Sequence, residues 1–169
     1  MGVLTELPDA SRLQELERAS RQGGSGLSQD DLLGLWRVER LWAKGGFHPS
    51  PIAGAALRAL QASLSMEAGE AGSLRLINAV SLGALNLTFQ GGARLTGRRP
   101  LLMLAHDSLH LRLAGRDLWS RPVPQPTKGR QPFFALIASG RLADGRRWLA
   151  ARGRGGGLAL WLRVADGSP

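Results

Sequence analysis

The sequence contains no cysteine and no tyrosine, only three histidines and, among 22 basic residues, only two lysines. Without cysteine there is no disulfide, no thiol nucleophile and no zinc site built on sulfur; a reducing compartment fits, though nothing requires it. Long apolar runs are missing as well. No stretch reaches the length that spans a bilayer as a helix. Met1–Ser20 alternates leucine with glutamate and arginine and lacks the apolar centre of a signal peptide, so no cleaved leader is expected. Acids are scarce where bases are dense. Residues 1–70 hold seven bases and nine acids, and residues 71–169 hold fifteen and four, within a net charge of +9. GC-rich coding would explain arginine in place of lysine, but not the retreat of acids from the C-terminal part. A basic surface there attracts phosphates, anionic lipid head groups or an acidic protein.

What is present suits one domain: 169 residues, 43% of them hydrophobic, are enough for a real core. Pro8–Gln22 reads as a helix, capped by Asp9 or Ser11, with Leu13 and Leu16 on one face and Gly23–Gly26 ending it. It is expected to pack on the body or dock on a partner. Leu32–Trp42 reads as a first strand, with Trp36, Val38 and Trp42 on one side. Ile52, Ala55, Ala56, Ala59, Leu60 and Leu64 recur at helical spacing, so a helix is expected near residues 51–65, over one barrel mouth.

From Ser73 onward, short alternating runs are separated by turn signals. The expected strands are Ser73–Ser81, Ala84–Gln90, Ala93–Gly97, Pro100–His106, Ser108–Ala114, Arg116–Arg121, Pro132–Gly140, Arg146–Arg152 and Gly157–Val164. Breaks fall at Gly83, Gly91-Gly92, Gly97, Asp107, Gly115, Pro122–Pro132, Asp144-Gly145 and Gly153–Gly156. Such spacing predicts a mostly β fold, an antiparallel barrel or sandwich. The organisation expected is a helix and Gly-rich linker over 1–26, one β-barrel domain over 27–165, and a tail over 166–169.

Two segments carry a family resemblance. Leu32-Leu33-Gly34-Leu35-Trp36-Arg37 holds the Gly-x-Trp of lipocalins, and Trp148–Arg163 runs through an Arg-Gly-rich turn into an apolar strand ending in arginine. Together they resemble the opening and closing of the plastid lipid-associated protein (fibrillin) family, a lipocalin-like group of plastids and cyanobacteria; the resemblance covers Asp30–Val164. It implies a lipocalin-like barrel with no enzymatic activity, peripheral on the cytoplasmic side of the thylakoid membrane. In a closed barrel the first and last strands must pair. Trp36 would then plug the base, Gly34 would let the chain turn tightly beneath it, and Arg163 would stack on the indole.

Catalytic constellations are absent from the sequence. His106 and His110 flank Asp107, but no further ligand completes a metal site, and His48 stands alone. There is no Gly-x-Ser-x-Gly elbow, and Asp107, Asp117 and Asp144 sit at expected turns. Gly153–Gly157 precedes a strand and lacks the Lys-Ser/Thr pair of a phosphate loop. Binding is therefore the expected activity. Trp42, Leu76, Leu87, Phe89, Leu111, Phe134 and Leu136 are candidates to line a cavity for a carotenoid, quinone or lipid, or simply to fill the core. The candidate basic surface comprises Arg98, Arg99, Arg116, Arg121, Arg130, Arg146, Arg147 and Arg154, facing an anionic lipid surface or an acidic photosynthetic protein complex. One alternative is a structural or assembly subunit that docks without ligand. Another is a nucleic-acid-binding barrel, disfavoured because the aromatics, Trp119 excepted, are not interleaved with arginines. A bilin lyase would need an inward acid that the strands do not show.

Overall fold

Leucines alternating with polar residues form extended segments that bury one face, and in the computed structural model these segments pair into one antiparallel sheet. The structure describes residues 4–51, 55–56, 59–124, 126 and 131–165. The strands are β1 Gly34–Trp42, β2 Ser63–Ala68, β3 Leu74–Leu82, β4 Leu85–Thr96, β5 Leu101–Leu113, β6 Arg116–Pro122, β7 Phe133–Arg141, β8 Arg147–Gly153 and β9 Leu158–Arg163. Their order is β4-β3-β2-β1-β9-β8-β7-β5-β6, and a further β4–β5 pairing closes the sheet into a ring, with β6 appended to the outside of β5. First and last strands meet, as closure demands: Trp36 lies opposite Arg163, and Trp42 opposite Leu158. The base of the ring is where β1 begins, β7 turns into β8 and β9 ends. The β3–β4 and β5–β6 turns lie at the opposite end.

Two cores result. Inside the ring, Trp36, Met66, Leu76, Leu102, Leu136 and Leu149 pack with Trp161 and their neighbours, and all are buried. Outside it, helix α1 (Ala10–Gly23) lies on the outer faces of β7, β8 and β9, where Leu13 and Ala10 meet Trp42, Ile137, Trp148 and Leu160. The helix forms where expected. Asp9 accepts from the Arg12 N–H at 2.8 Å, Leu13 is buried, Leu16 packs on the same cluster, and Gly24 at φ 87° closes the last turn. Burying a leucine such as Leu13 stabilises the docked helix by about 2 kcal/mol.

Four expectations are corrected. The helix expected near residues 51–65 stops short: Pro51, Ala55, Ala56 and Ala59 are helical, but Ser63–Ala68 is a strand. Gln61 at φ 43° ends the helical run. Leu64 and Met66 then enter the ring interior at period 2, which overrides alanine-driven propensity upstream. Ile52 lies outside the described residues.

Gly91-Gly92 and Asp107, expected as breaks, sit in mid-strand. Gly91 pairs with His106 and Gln90 with Ser108, so Asp107 is the extra residue of a β-bulge. A Cβ on Gly91 would lie 1.8 Å from the Ala105 carbonyl oxygen. The missing side chain lets two strands bend together without parting.

Trp42, expected on the same side as Trp36 and Val38, faces outward. A register shift between Val38 and Arg40 leaves Glu39 bulged, which returns Leu41 to the interior and turns Trp42 under α1. His106 and His110, expected on opposing strands if Asp107-Ser108 were a hairpin turn, lie on one strand, β5.

Candidate functional site

The pairing pattern produces an extension of the ring. Above Ala79, β3 has run past the start of β2, and above Met103, β5 leaves β7 and takes β6 as its neighbour. The upper halves of β3, β4 and β5, with β6, thus form a four-stranded flap. Its inner face follows from the register. Counting by twos from buried Ala93 along β4 gives Gly91, Phe89, Leu87 and Leu85, whose partners on β5 are His106, Leu109, Leu111 and Leu113. On β3, Asn78, Val80 and Leu82 share that side, and on β6 Trp119 lies opposite Leu111. The other side is polar. Asn86 donates to Ser81 Oγ at 2.7 Å, Thr88 Oγ1 donates to Asn86 at 2.5 Å, His110 bonds Ser108 at 2.9 Å, and Arg112 pairs with Asp117 at 2.5 Å.

The flap is therefore amphipathic, and its apolar side continues the ring interior into solvent. Leu82 is 61% exposed, Leu113 45%, Trp119 42% and Leu85 39%. Leu82 and Leu85 flank one hairpin tip; Leu113 and Arg116 flank the next. Arg121 lies over the Trp119 ring at 5.1 Å, a cation–π contact that keeps a positive charge beside this exposed indole. Exposed apolar side chains clustered this closely mark an interaction surface.

At the boundary between the ring and the open flap stands His106. Its ring meets Phe89 edge-on at 5.5 Å, and its Nε2 is buried without a hydrogen-bond partner among the described residues. Burial pulls its pKa below the usual imidazole value, partly opposed by the Asp107 charge.

Of the candidate cavity residues, Leu76 and Leu136 are buried inside the ring, and Phe134 packs on them, edge-on to Trp161 at 5.3 Å. Leu87, Phe89 and Leu111 line the inner face of the flap, while Trp42 lies outside under α1. Gly34, Trp36 and Arg163, expected at the closure, lie on the paired first and last strands. Trp36 is fully buried and donates from its indole to the Leu32 carbonyl at 2.7 Å, and Arg163 lies against Gly34, where a Cβ would sit 2.6 Å from Arg163 Nε.

The candidate basic residues do not form one face. Arg116 and Arg121 belong to the flap. Arg146 and Arg147 lie at the base, paired with Asp144 at 2.6 Å and Asp31 at 3.4 Å. Arg98 is exposed in the β4–β5 turn and Arg154 in the β8–β9 turn; Arg130 lies outside the described residues. Arg99 has a separate role that the sequence did not reveal. With Arg21 and Arg152 it surrounds Glu17, a helix residue only 4% exposed. The guanidinium distances to its carboxylate are 2.8 Å from Arg99, 2.9 Å from Arg21 and 2.5 Å from Arg152. Burial would raise the Glu17 pKa, but hydrogen bonds and charge from Arg152 and Arg21 lower it to about 2. The acid lies amid arginines in Glu17-Arg18-Ala19-Ser20-Arg21, but its long-range partners are invisible in local sequence.

Among the described residues no three His, Cys, Asp or Glu side chains converge as a metal would require, and no helix is long and apolar enough to cross a membrane. Comparison with protein-family models and with curated proteins finds no match for this chain.

Proposed function

We propose that this protein is a non-enzymatic, lipocalin-like barrel of the fibrillin type that docks on an anionic lipid surface of the photosynthetic membrane through its flap. The observation that carries the reading is the apolar face of β3–β6, which ends in solvent at Leu82, Leu85, Leu113 and Trp119 beside Arg116 and Arg121. Leucines at hairpin tips enter the acyl boundary, tryptophan prefers the interface, and arginine meets head-group phosphate. Each basic residue near such a surface contributes about 1 kcal/mol, and each buried leucine about 2 kcal/mol. Leu82, Leu85 and Leu113 with two arginines therefore support stable peripheral binding without a spanning segment.

The fibrillin resemblance of both chain ends supports the same reading, and the pairing of β1 with β9 is compatible with it. The packed ring interior favours seating an apolar ligand, such as a carotenoid, a quinone or a lipid chain, in the flap trough along Leu87, Phe89 and Leu111 and not deep among Leu76 and Leu136. The packed interior also suits the second reading, a rigid subunit of a photosynthetic complex that carries no ligand.

The test is co-sedimentation with vesicles of phosphatidylglycerol and phosphatidylcholine. Wild-type protein is expected in the pellet, and the Leu82→Asp/Leu113→Asp variant in the supernatant with unchanged circular dichroism. Equal partitioning of the two would refute flap docking. An absorption spectrum of protein isolated from its own cells separates the two readings: stoichiometric pigment or quinone identifies a ligand carrier, whereas a colourless protein that brings down a membrane complex identifies a docking subunit.

A further inference from the structure

At the base, opposite the flap tips, lies a second surface of different chemistry. A groove of about 710 Å³ runs outside β1 and β9 and along the β7–β8 turn, lined by Arg37, Arg141, Arg146, Arg147 and Arg163. Its acids are Glu39 and Asp144, and Asp144 is engaged by Arg146, with Asp31 beside it held by Arg147. Among the described lining residues, arginines outnumber acids five to two. Arg37 and Arg141 are both exposed and make no ion pair among the described residues, where Arg141 donates to the Gly145 carbonyl at 3.2 Å. Between the arginines run apolar side chains, those of Leu162, Val164 and Ala165.

We infer that this groove binds an extended acidic segment of a partner protein, with carboxylates on Arg37 and Arg141 and small apolar side chains against Leu162 and Val164. Three features select this occupant. Guanidinium groups bind carboxylates with a planar, bidentate match, and the charge excess complements an acidic chain. Among the described residues no aromatic side chain lines the groove, so they offer no platform on which unpaired bases would stack. The apolar anchors that would hold a bilayer are at the other end of the ring, so under the proposed lipid docking this groove faces away from the membrane. Only that last point rests on the lipid reading; the charge and the lining do not. The molecule becomes two-ended, with lipid at the flap and an acidic protein at the base.

The experiment is fluorescence anisotropy with a labelled peptide that alternates glutamate and aspartate with leucine and glycine. Its amide counterpart, in which glutamine and asparagine replace the acids, serves as the control. Binding is expected for the acidic peptide alone, weakening steeply with salt and at least about tenfold in Arg37→Glu/Arg141→Glu, whose melting temperature stays near wild type. Leu82→Asp/Leu113→Asp is expected to bind the peptide normally. No binding at low salt, or equal binding by the charge-reversed variant, would overturn the inference. So would displacement of the peptide by a single-stranded oligonucleotide, or loss of vesicle binding in Arg37→Glu/Arg141→Glu with the flap variant unaffected. Peptide binding by a protein that ignores vesicles leaves this inference standing and refutes the lipid reading alone.

Discussion

Arg152 grips both carboxylate oxygens of Glu17 across 135 positions of sequence, its Nε donating at 2.8 and 3.0 Å and its terminal nitrogen at 2.5 Å. With Arg99 and Arg21 on the same carboxylate, one helix residue ties α1 to the β4–β5 turn and to β8. Because the folded pKa is lowered from 4.5 to about 2, the charged form stabilises the fold at any pH above 4.5, and that contribution fades as pH falls from 4.5 toward 2. Glu17→Gln leaves the arginines without their countercharge and is expected to cost about 2 kcal/mol in urea unfolding at pH 7. The difference from wild type should shrink below pH 4.5. A gap independent of pH would assign Glu17 a packing role only.

Gly34 and Arg163 lie against each other at the base. Gly34 adopts φ 116°, and a Cβ there would meet the Arg163 guanidinium at 2.6 Å. Gly34→Ala is expected to destabilise by about 2 kcal/mol from backbone strain, with the clash adding to it. Adding Arg163→Ala should recover the steric part and leave the strain, so a double-mutant cycle by chemical denaturation should show coupling. Strict additivity would mean that the two residues act separately.

His106 provides a pH readout near neutrality. Its pKa lies below the ordinary imidazole value of 6.5 because it is buried. An imidazole whose folded pKa is depressed takes up its proton more readily when unfolded, so its contribution to stability is full above 6.5 and declines as pH falls below that. An NMR titration is expected to show the His106 ring less than half protonated at pH 6.5, where an ordinary histidine is half protonated. His106→Phe should remove the corresponding slope in stability. A midpoint at or above 6.5 would contradict the buried setting.

Much of the fold was readable because alternation is a strong local signal. Leu109-His110-Leu111-Arg112-Leu113 reads as a strand with one apolar face, and the structure places it so. The misreadings each come from a tertiary cause. Gly91-Gly92 looks like a turn, yet it is where Ala105 presses against β4. Trp42 follows Trp36 at an even spacing, and one bulged residue, Glu39, reverses its side. Leu64 continues an alanine-rich helical pattern, but its partner on β3, Asn78, claims it for the sheet.

The sites were less legible than the strands. Leu87, Phe89 and Leu111 were identifiable as apolar positions, but no local pattern shows that they line an open flap while Leu76 and Leu136 are sealed inside the ring. The arginine excess was plain in the composition, but its division among flap, helix clamp and base groove depends on contacts between distant strands.

Trp119 offers the most direct measurement of the central claim. Of five tryptophans it alone is substantially exposed, at 42%, while Trp36, Trp42, Trp148 and Trp161 lie at 0–4%. Fluorescence titrated with phosphatidylglycerol vesicles carrying brominated acyl chains should shift to the blue and be quenched. Both changes should vanish in Trp119→Phe, which keeps the flap apolar. That result would place the β6 face in the lipid interface. An unshifted, unquenched spectrum at low ionic strength would contradict the account.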